Sequence, residues 1–150
     1  MCPVKRHLKM TVVGTKQARC RYHRVVLRID RICKGRVTVE RSRFLAEVFP
    51  AGDLAQVNDV VRTRRRKLRK ARHHCWACRI RTGDGQLVEQ ARDDGEVGRP
   101  GMVLLELLRR HDLVGAIVVS RFFGGVKLGP GGVSRAFRAA AEQALDELMT

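Results

Sequence analysis

Val25, Leu27 and Ile29 alternate with their neighbours along the chain, and alternation of this kind marks a half-buried strand. After a turn expected at Lys34-Gly35, the apolar positions Val37 and Val39, then Phe44-Leu-Ala46 and Val48-Phe49, predict two or three strands in all. Pro50-Ala-Gly-Asp53 breaks this pattern and offers Asp53 as a helix N-cap. Leu54, Val57, Val61, Leu68 and Ala71 then recur at helical spacing and predict a helix over 54–71. A second strand pair follows, His73 to Arg81 and Gln86 to Ala91, around the turn Thr82-Gly-Asp-Gly85. Pro100 suits the first turn of a helix whose face is Val103, Leu104, Leu107 and Leu108, ending near His111. Val114 to Val119 is an unbroken apolar run, a buried strand. Val133, Phe137, Ala140, Ala141, Ala144, Leu145 and Leu148 predict a C-terminal helix. The order of elements implies an α+β fold, a two-layer mixed sheet with helices packed on it. A single domain is expected over 24–150.

Between that buried strand and the last helix lie Gly124, Gly125, Gly129, Gly131 and Gly132, flanked by Arg121, Lys127 and Arg135. Glycine permits positive φ and close approach of another backbone or a ligand. Cations around a helix N-terminus, where free N–H groups point outward, suit an anion such as phosphate. The same glycines also serve a tight strand-to-helix turn with no ligand at all.

Charge changes the picture more than composition does. The net charge is +16, and most of it falls in two blocks. Residues 1–29 hold Lys5, Arg6, Lys9, Lys16, Arg19, Arg21, Arg24 and Arg28 with no acid. Residues 51–72 hold Arg62, Arg64, Arg65, Arg66, Lys67, Arg69, Lys70 and Arg72 against Asp53 and Asp59. The rest of the chain is nearly neutral. A run of cations on a helix is ordinarily a solvated face, but two separate blocks favour a polyanionic partner. Eight cations within eleven residues repel one another, so this helix gives up stability that a bound polyanion restores. Residues 1–23 show no periodicity and read as a flexible basic arm. The same stretch is also compatible with an organelle transit peptide, or with a true start at Met10. No apolar run approaches the roughly 20 residues that span a bilayer, and no secretory signal is apparent. The expected location is the cytoplasm, with no membrane partner.

The five cysteines are odd in number, and reduced thiols are the default without a secretion signal. Cys75 and Cys78, preceded by His73 and His74, invite a zinc reading. A strand sends residues three apart to opposite faces, however, and no second ligand pair follows, so no metal is assigned. Asp93, Asp94 and Glu96 form an acidic loop that could hold magnesium, although such a cluster more often caps helices or pairs with arginines. His73 and His74 read first as structural histidines; the sharper alternative makes His73 a general acid/base or ligand beside the acidic loop. Phe122 and Phe123 point to opposite faces of a continued strand, so one is expected in the core and the other free to stack on a base. Of the remaining large aromatic residues, Trp76 is expected in the core, and Tyr22 is a further stacking candidate.

Four motifs occur in one order: Arg41-Ser-Arg-Phe44, Ala71-Arg-His-His-Cys-Trp-Ala77, Asp93-Asp-Gly-Glu96 and Arg121-Phe-Phe-Gly-Gly-Val-Lys-Leu-Gly-Pro-Gly-Gly-Val-Ser-Arg-Ala136. Over about residues 36–148 the chain resembles the IMPACT family, which includes the bacterial YigZ-like proteins. The resemblance implies the fold of the second domain of ribosomal protein S-five and of domain IV of elongation factor G. It also implies a role in regulating translation, with nucleic acid bound by bacterial members and protein partners by eukaryotic ones. Longer members carry a ferredoxin-like C-terminal domain, which is not expected here. After the acidic motif the family pattern is close to Asp-Asp-Gly-Glu-Pro-Ser-Gly-Thr-Ala-Gly-Lys-Pro. This chain has a shorter Val97-Gly-Arg-Pro100 segment without the hydroxyls, where Arg99 offers a cationic contact instead.

The preferred reading is a non-enzymatic RNA- or ribosome-associated protein with no cofactor. Phosphate contacts are expected from Arg62 to Lys70 and from the Arg121–Arg135 loop. One alternative is an enzyme acting on a phosphorylated or nucleotide substrate, with His73, Glu96 and Lys127 around one cleft. Another is a regulator that binds an acidic protein.

Overall fold

The computed structural model describes residues 26–150. The expected arm at 1–23 and the stacking candidate Tyr22 lie outside them. Nine elements follow in order: β1 (Leu27–Arg28), β2 (Cys33–Val39), β3 (Ser42–Phe49), α1 (Leu54–Lys67), β4 (His73–Arg81), β5 (Leu87–Arg92), α2 (Pro100–Arg110), β6 (Leu113–Phe122) and α3 (Gly129–Met149).

The sheet runs β2-β3-β6-β4-β5, and every neighbouring pair along that path is antiparallel. The short β1 adds a parallel pairing at the start of β6, so the sheet is mixed. The unbroken apolar run takes the central place, β6, buried from Leu113 to Arg121. A strand buried at consecutive positions needs cover on both faces, and here it has it. Cys75, Ala77, Ile117 and Val119 belong to the core beneath α2 and α3. Trp76, Cys78, Ala116 and Val118 belong to a second core beneath α1. The expected two-layer arrangement is therefore corrected to three layers, helices lying on both faces. Cys75 and Cys78 do part to opposite faces, as the strand period requires.

The α2/α3 side is the larger core, with Leu104, Leu108, Ala140, Ala141, Leu145 and Leu148 fully or almost fully buried. Phe44 and Phe137 meet edge-on there, ring centroids 5.2 Å apart. By contrast, α1 buries only Val57 and Val61. Its start is fixed by a reciprocal cap. Asp53 accepts from Gln56 N at 2.8 Å, while Gln56 Oε1 accepts from Gly52 N at 2.8 Å.

Two expected boundaries are corrected. The turn placed at Lys34-Gly35 is in fact the interior of β2, and the hairpin reverses at Glu40 and Arg41, both with positive φ. Gly35 is required for another reason: a Cβ there would lie 2.7 Å from Ala144 N and closer still to the Ala140 carbonyl of α3. The helix drawn over 54–71 ends at Lys67, where Leu68 turns out of helical geometry and returns its N–H to Arg64 O at 2.9 Å. The chain needs that interval to reverse before β4 begins at His73.

At the β2 edge, two backbone N–H groups are capped by α3 side chains. Lys34 N donates to Glu147 Oε2 at 2.9 Å and Arg36 N to Gln143 Oε1 at 3.0 Å. Such capping blunts an edge that would otherwise pair with a foreign strand.

Candidate nucleic-acid interface

The basic run of α1 divides by direction. Arg64 turns inward: its guanidinium donates to Glu47 Oε2 at 3.0 Å, Ser120 Oγ at 2.6 Å and Leu45 O at 2.5 Å. Arg65 lies on the opposite flank and grips both carboxylate oxygens of Asp94, at 2.9 and 3.0 Å. Arg62 pairs with Asp59 one turn earlier, at 3.2 Å. That leaves Arg66, Lys67, Arg69, Lys70 and Arg72 exposed, without an acidic partner among the described residues. Arg72 instead lies over the exposed ring of Phe123, 4.8 Å from its centroid. This contact carries the cationic stripe from the end of α1 to the edge of the glycine loop.

Behind the stripe is a buried polar chain. Ser120 Oγ, which accepts from Arg64, is 2.7 Å from His74 Nδ1, and His74 N donates to Asp94 Oδ2 at 2.8 Å. Burial, with the Arg65 charge adding to it, pushes the His74 pKa down from 6.5 to about 4, so its imidazole is neutral near pH 7. Burial pushes the other way on Asp94, but the Arg65 hydrogen bonds and the His74 amide outweigh it and lower its pKa.

The acidic loop sends its carboxylates in three directions. Asp93 Oδ1 accepts from Gly101 N at the start of α2, at 2.8 Å. Asp94 holds Arg65. Glu96 accepts from Arg121 Nη1 through both oxygens at 3.0 Å and lies 3.6 Å from His73 Nε2. His73 Nδ1 donates to Asp94 O at 2.9 Å. Capping and ion pairing are therefore the roles seen for these acids, and they do not converge on one point. Among the described residues no group of three or more such side chains is arranged to hold a metal. Arg121 is buried against Glu96, and its Nε finds no hydrogen-bond partner among the described residues. Neither Arg64 nor Arg121 is a free surface cation, in contrast to their expected place among the phosphate contacts.

In the glycine segment, Gly124 packs so closely that a Cβ would strike the Arg41 carbonyl group, and its N–H donates to Ser42 Oγ at 3.1 Å. Gly125 and Gly129 hold positive φ, and Gly131 and Gly132 fall in the first turn of α3. That helix starts with no side-chain cap. Lys127 and Arg135 are exposed beside it, and Arg99 is exposed at the start of α2. Gly98 touches the same turn, where Ser134 Oγ donates to Gly98 O at 2.5 Å. The expectation that one of Phe122 and Phe123 is core is corrected. Phe122 is half-buried beneath the Arg43 guanidinium at 4.5 Å, and Phe123 is exposed, because β6 ends there at the sheet margin. Trp76 is buried, as expected.

Two residues central to this site, Glu47 and Ser120, were not apparent as site residues from the sequence. Each is a polar residue inside an apolar strand, which is the signal that marks it.

Similarity to known proteins agrees with this architecture. The Impact N-terminal domain matches residues 40–145. The chain belongs to the IMPACT family. It is 31% identical over 114 residues to the IMPACT family member YvyE of Bacillus subtilis, covering 75% of this chain and 52% of that protein. To an IMPACT family member of Thermus thermophilus it is 38% identical over 108 residues, covering 71% of this chain and 56% of that one. To Protein IMPACT of Bos taurus it is 36% identical over 99 residues, 63% of this chain and 30% of that one. This IMPACT-family chain thus spans about half the length of the bacterial relatives it matches. A crystal structure of a hypothetical protein superposes with a TM-score of 0.72 at 28% identity, covering 78% of this chain and 58% of the other. The two-domain translational regulator Yih1 shares the fold, with a TM-score of 0.53 at 24% identity, over 91% of this chain and 55% of Yih1.

Proposed function

We propose that this IMPACT-family chain is a non-enzymatic, cytoplasmic module that binds structured RNA, including ribosomal RNA, and acts in the regulation of translation. The observation that carries the reading is the stripe of unpaired cations, Arg66, Lys67, Arg69, Lys70 and Arg72, continued by Phe123. Cations held away from acids bind phosphates, and an exposed ring beneath an arginine offers a base a stacking surface. The glycine loop is a second contact in this reading, through the uncapped start of α3 with Lys127 and Arg135 beside it. The likeness to domains of ribosomal protein S-five and elongation factor G, implied by the family resemblance, supports a ribosomal setting. So does the description of Yih1 as a translational regulator.

The test is binding of a labelled RNA hairpin and of purified ribosomes across a salt series. Arg66→Glu with Lys70→Glu is expected to weaken both by about tenfold or more, alike for all sequences. Arg65 is left out of that pair because it holds Asp94. An affinity that ignores both salt and this double change sinks the reading. The enzyme alternative would need His73, Glu96 and Lys127 around one cleft. Two grooves flank α1, one along Leu45, Val60 and Leu68 and one along Arg62, Arg65 and Trp76, and none of the three residues lines either.

A further inference from the structure

The face of the sheet that carries α1 is only partly covered. Between α1 and the β2–β3 hairpin runs an open groove of ≈ 740 Å³. Its apolar surface comes from Leu45, Val60 and Leu68, all half-buried, and its rim carries the exposed side chains of Lys34, Arg36 and Lys67. Two acids also line it, but each already has a cation: Glu47 is bound by Arg64, and Asp59 by Arg62. None of the three rim cations has an acidic partner among the described residues. The groove is thus apolar at its base and electropositive at its edge.

The structure narrows what can fill it. A strand added along β2 would need backbone groups to pair with, and the N–H groups of Lys34 and Arg36 are occupied by Glu147 and Gln143 of α3. That disfavours an added strand and favours a guest whose backbone is already satisfied, as a helix's is. A nucleobase would look for a ring to stack on, and no aromatic side chain lines the groove. The wall that α1 contributes, from Asp59 to Leu68, is about 14 Å long at 1.5 Å per residue, room for two to three turns of a guest helix.

We propose that this groove is a docking site for an acidic amphipathic helix of a partner protein. Its apolar stripe would lie on Leu45, Val60 and Leu68, and its flanking carboxylates would meet Lys34, Arg36 and Lys67. The site adjoins the outward stripe assigned to RNA and shares Lys67 with it, while Leu45, Val60, Lys34 and Arg36 belong to the groove alone; the proposal stands whether or not the RNA assignment holds.

The experiment is selection of a displayed library of helical peptides on the whole chain, followed by affinity measurement of the enriched peptides. Enriched sequences should combine apolar residues at helical spacing with flanking Asp and Glu. Lys34→Gln with Arg36→Gln keeps both backbone contacts and should weaken these peptides about tenfold, while hairpin RNA affinity changes by less than about twofold. Arg66→Glu with Lys70→Glu should do the reverse to RNA and leave the peptides bound. Two results overturn the proposal. One is no acidic amphipathic enrichment on a chain whose amide spectrum shows it folded. The other is loss of RNA binding with the Lys34/Arg36 pair to the extent seen with the Arg66/Lys70 pair, which would make the groove part of a nucleic-acid surface.

Discussion

His74 is a buried imidazole with a neutral hydroxyl on one side and an arginine-bound carboxylate near its amide. Unfolded, it takes up a proton near pH 6.5; folded, only near pH 4. Between those values the unfolded chain holds more protons. Stability is therefore full above about pH 6.5 and declines as the pH falls toward 4, by about 3 kcal/mol in all. Urea unfolding at several pH values across that window should show this slope in the parent chain, and His74→Gln should flatten it. Gly35 makes a different kind of demand. Gly35→Ala forces a methyl group into the backbone of α3 and should cost about 1–3 kcal/mol in the same assay, whatever the pH. Nothing near Gly35 in sequence shows this. Lys34-Gly35 between apolar alternations reads locally as a turn, and the reason for the glycine sits more than a hundred residues away, in Ala140 and Ala144.

At the scale of elements, α1 is the one whose attachment depends most on polar contacts. It buries two valines, and the Arg64 guanidinium supplies three further anchors to β3 and β6. Arg64→Met strands Glu47 without its partner and should lower stability by about 3 kcal/mol. The double change Arg64→Met with Glu47→Leu should recover most of that loss in chemical denaturation, since both ends of the pair then become apolar. A sign for Arg64 was present in the sequence: Val57, Val61, Arg64 and Leu68 share one helical stripe, so this arginine occupies a core-facing position. A count of charges does not show direction, which is why the whole run resembles one solvated face. The strands were legible because alternation and continuous burial differ in pattern. What the pattern does not show is that β4 and β6 each take a helix on both sides, which makes the third layer. Of the acidic loop, only its pairing with arginines could be anticipated from composition; which carboxylate meets which cation follows from the fold.

Across the whole molecule, the net charge of +16 overstates what a ligand can use. In the described part, several cations are already bound to acids, among them Arg62, Arg64, Arg65, Arg79, Arg109 and Arg121. The usable charge on α1 and the turn after it comes to the five unpaired side chains of the stripe. If these alone meet phosphates, the logarithm of affinity should fall with the logarithm of salt at a slope of about −3.5 to −4.5, from unpaired to paired RNA. A steeper slope would bring in Lys127 and Arg135 of the glycine loop, and a much steeper one the block at residues 1–29 as well. The close fit of Gly124 on Arg41 and Ser42 has a bearing on time rather than on contact. That hydrogen bond joins residues 82 apart in sequence, tying the start of β3 to the end of β6. Long-range closures of this kind slow folding. During synthesis the hairpin leaves the ribosome before the loop that locks onto it, and for that interval Ser42, fully buried in the finished fold, stays open to solvent.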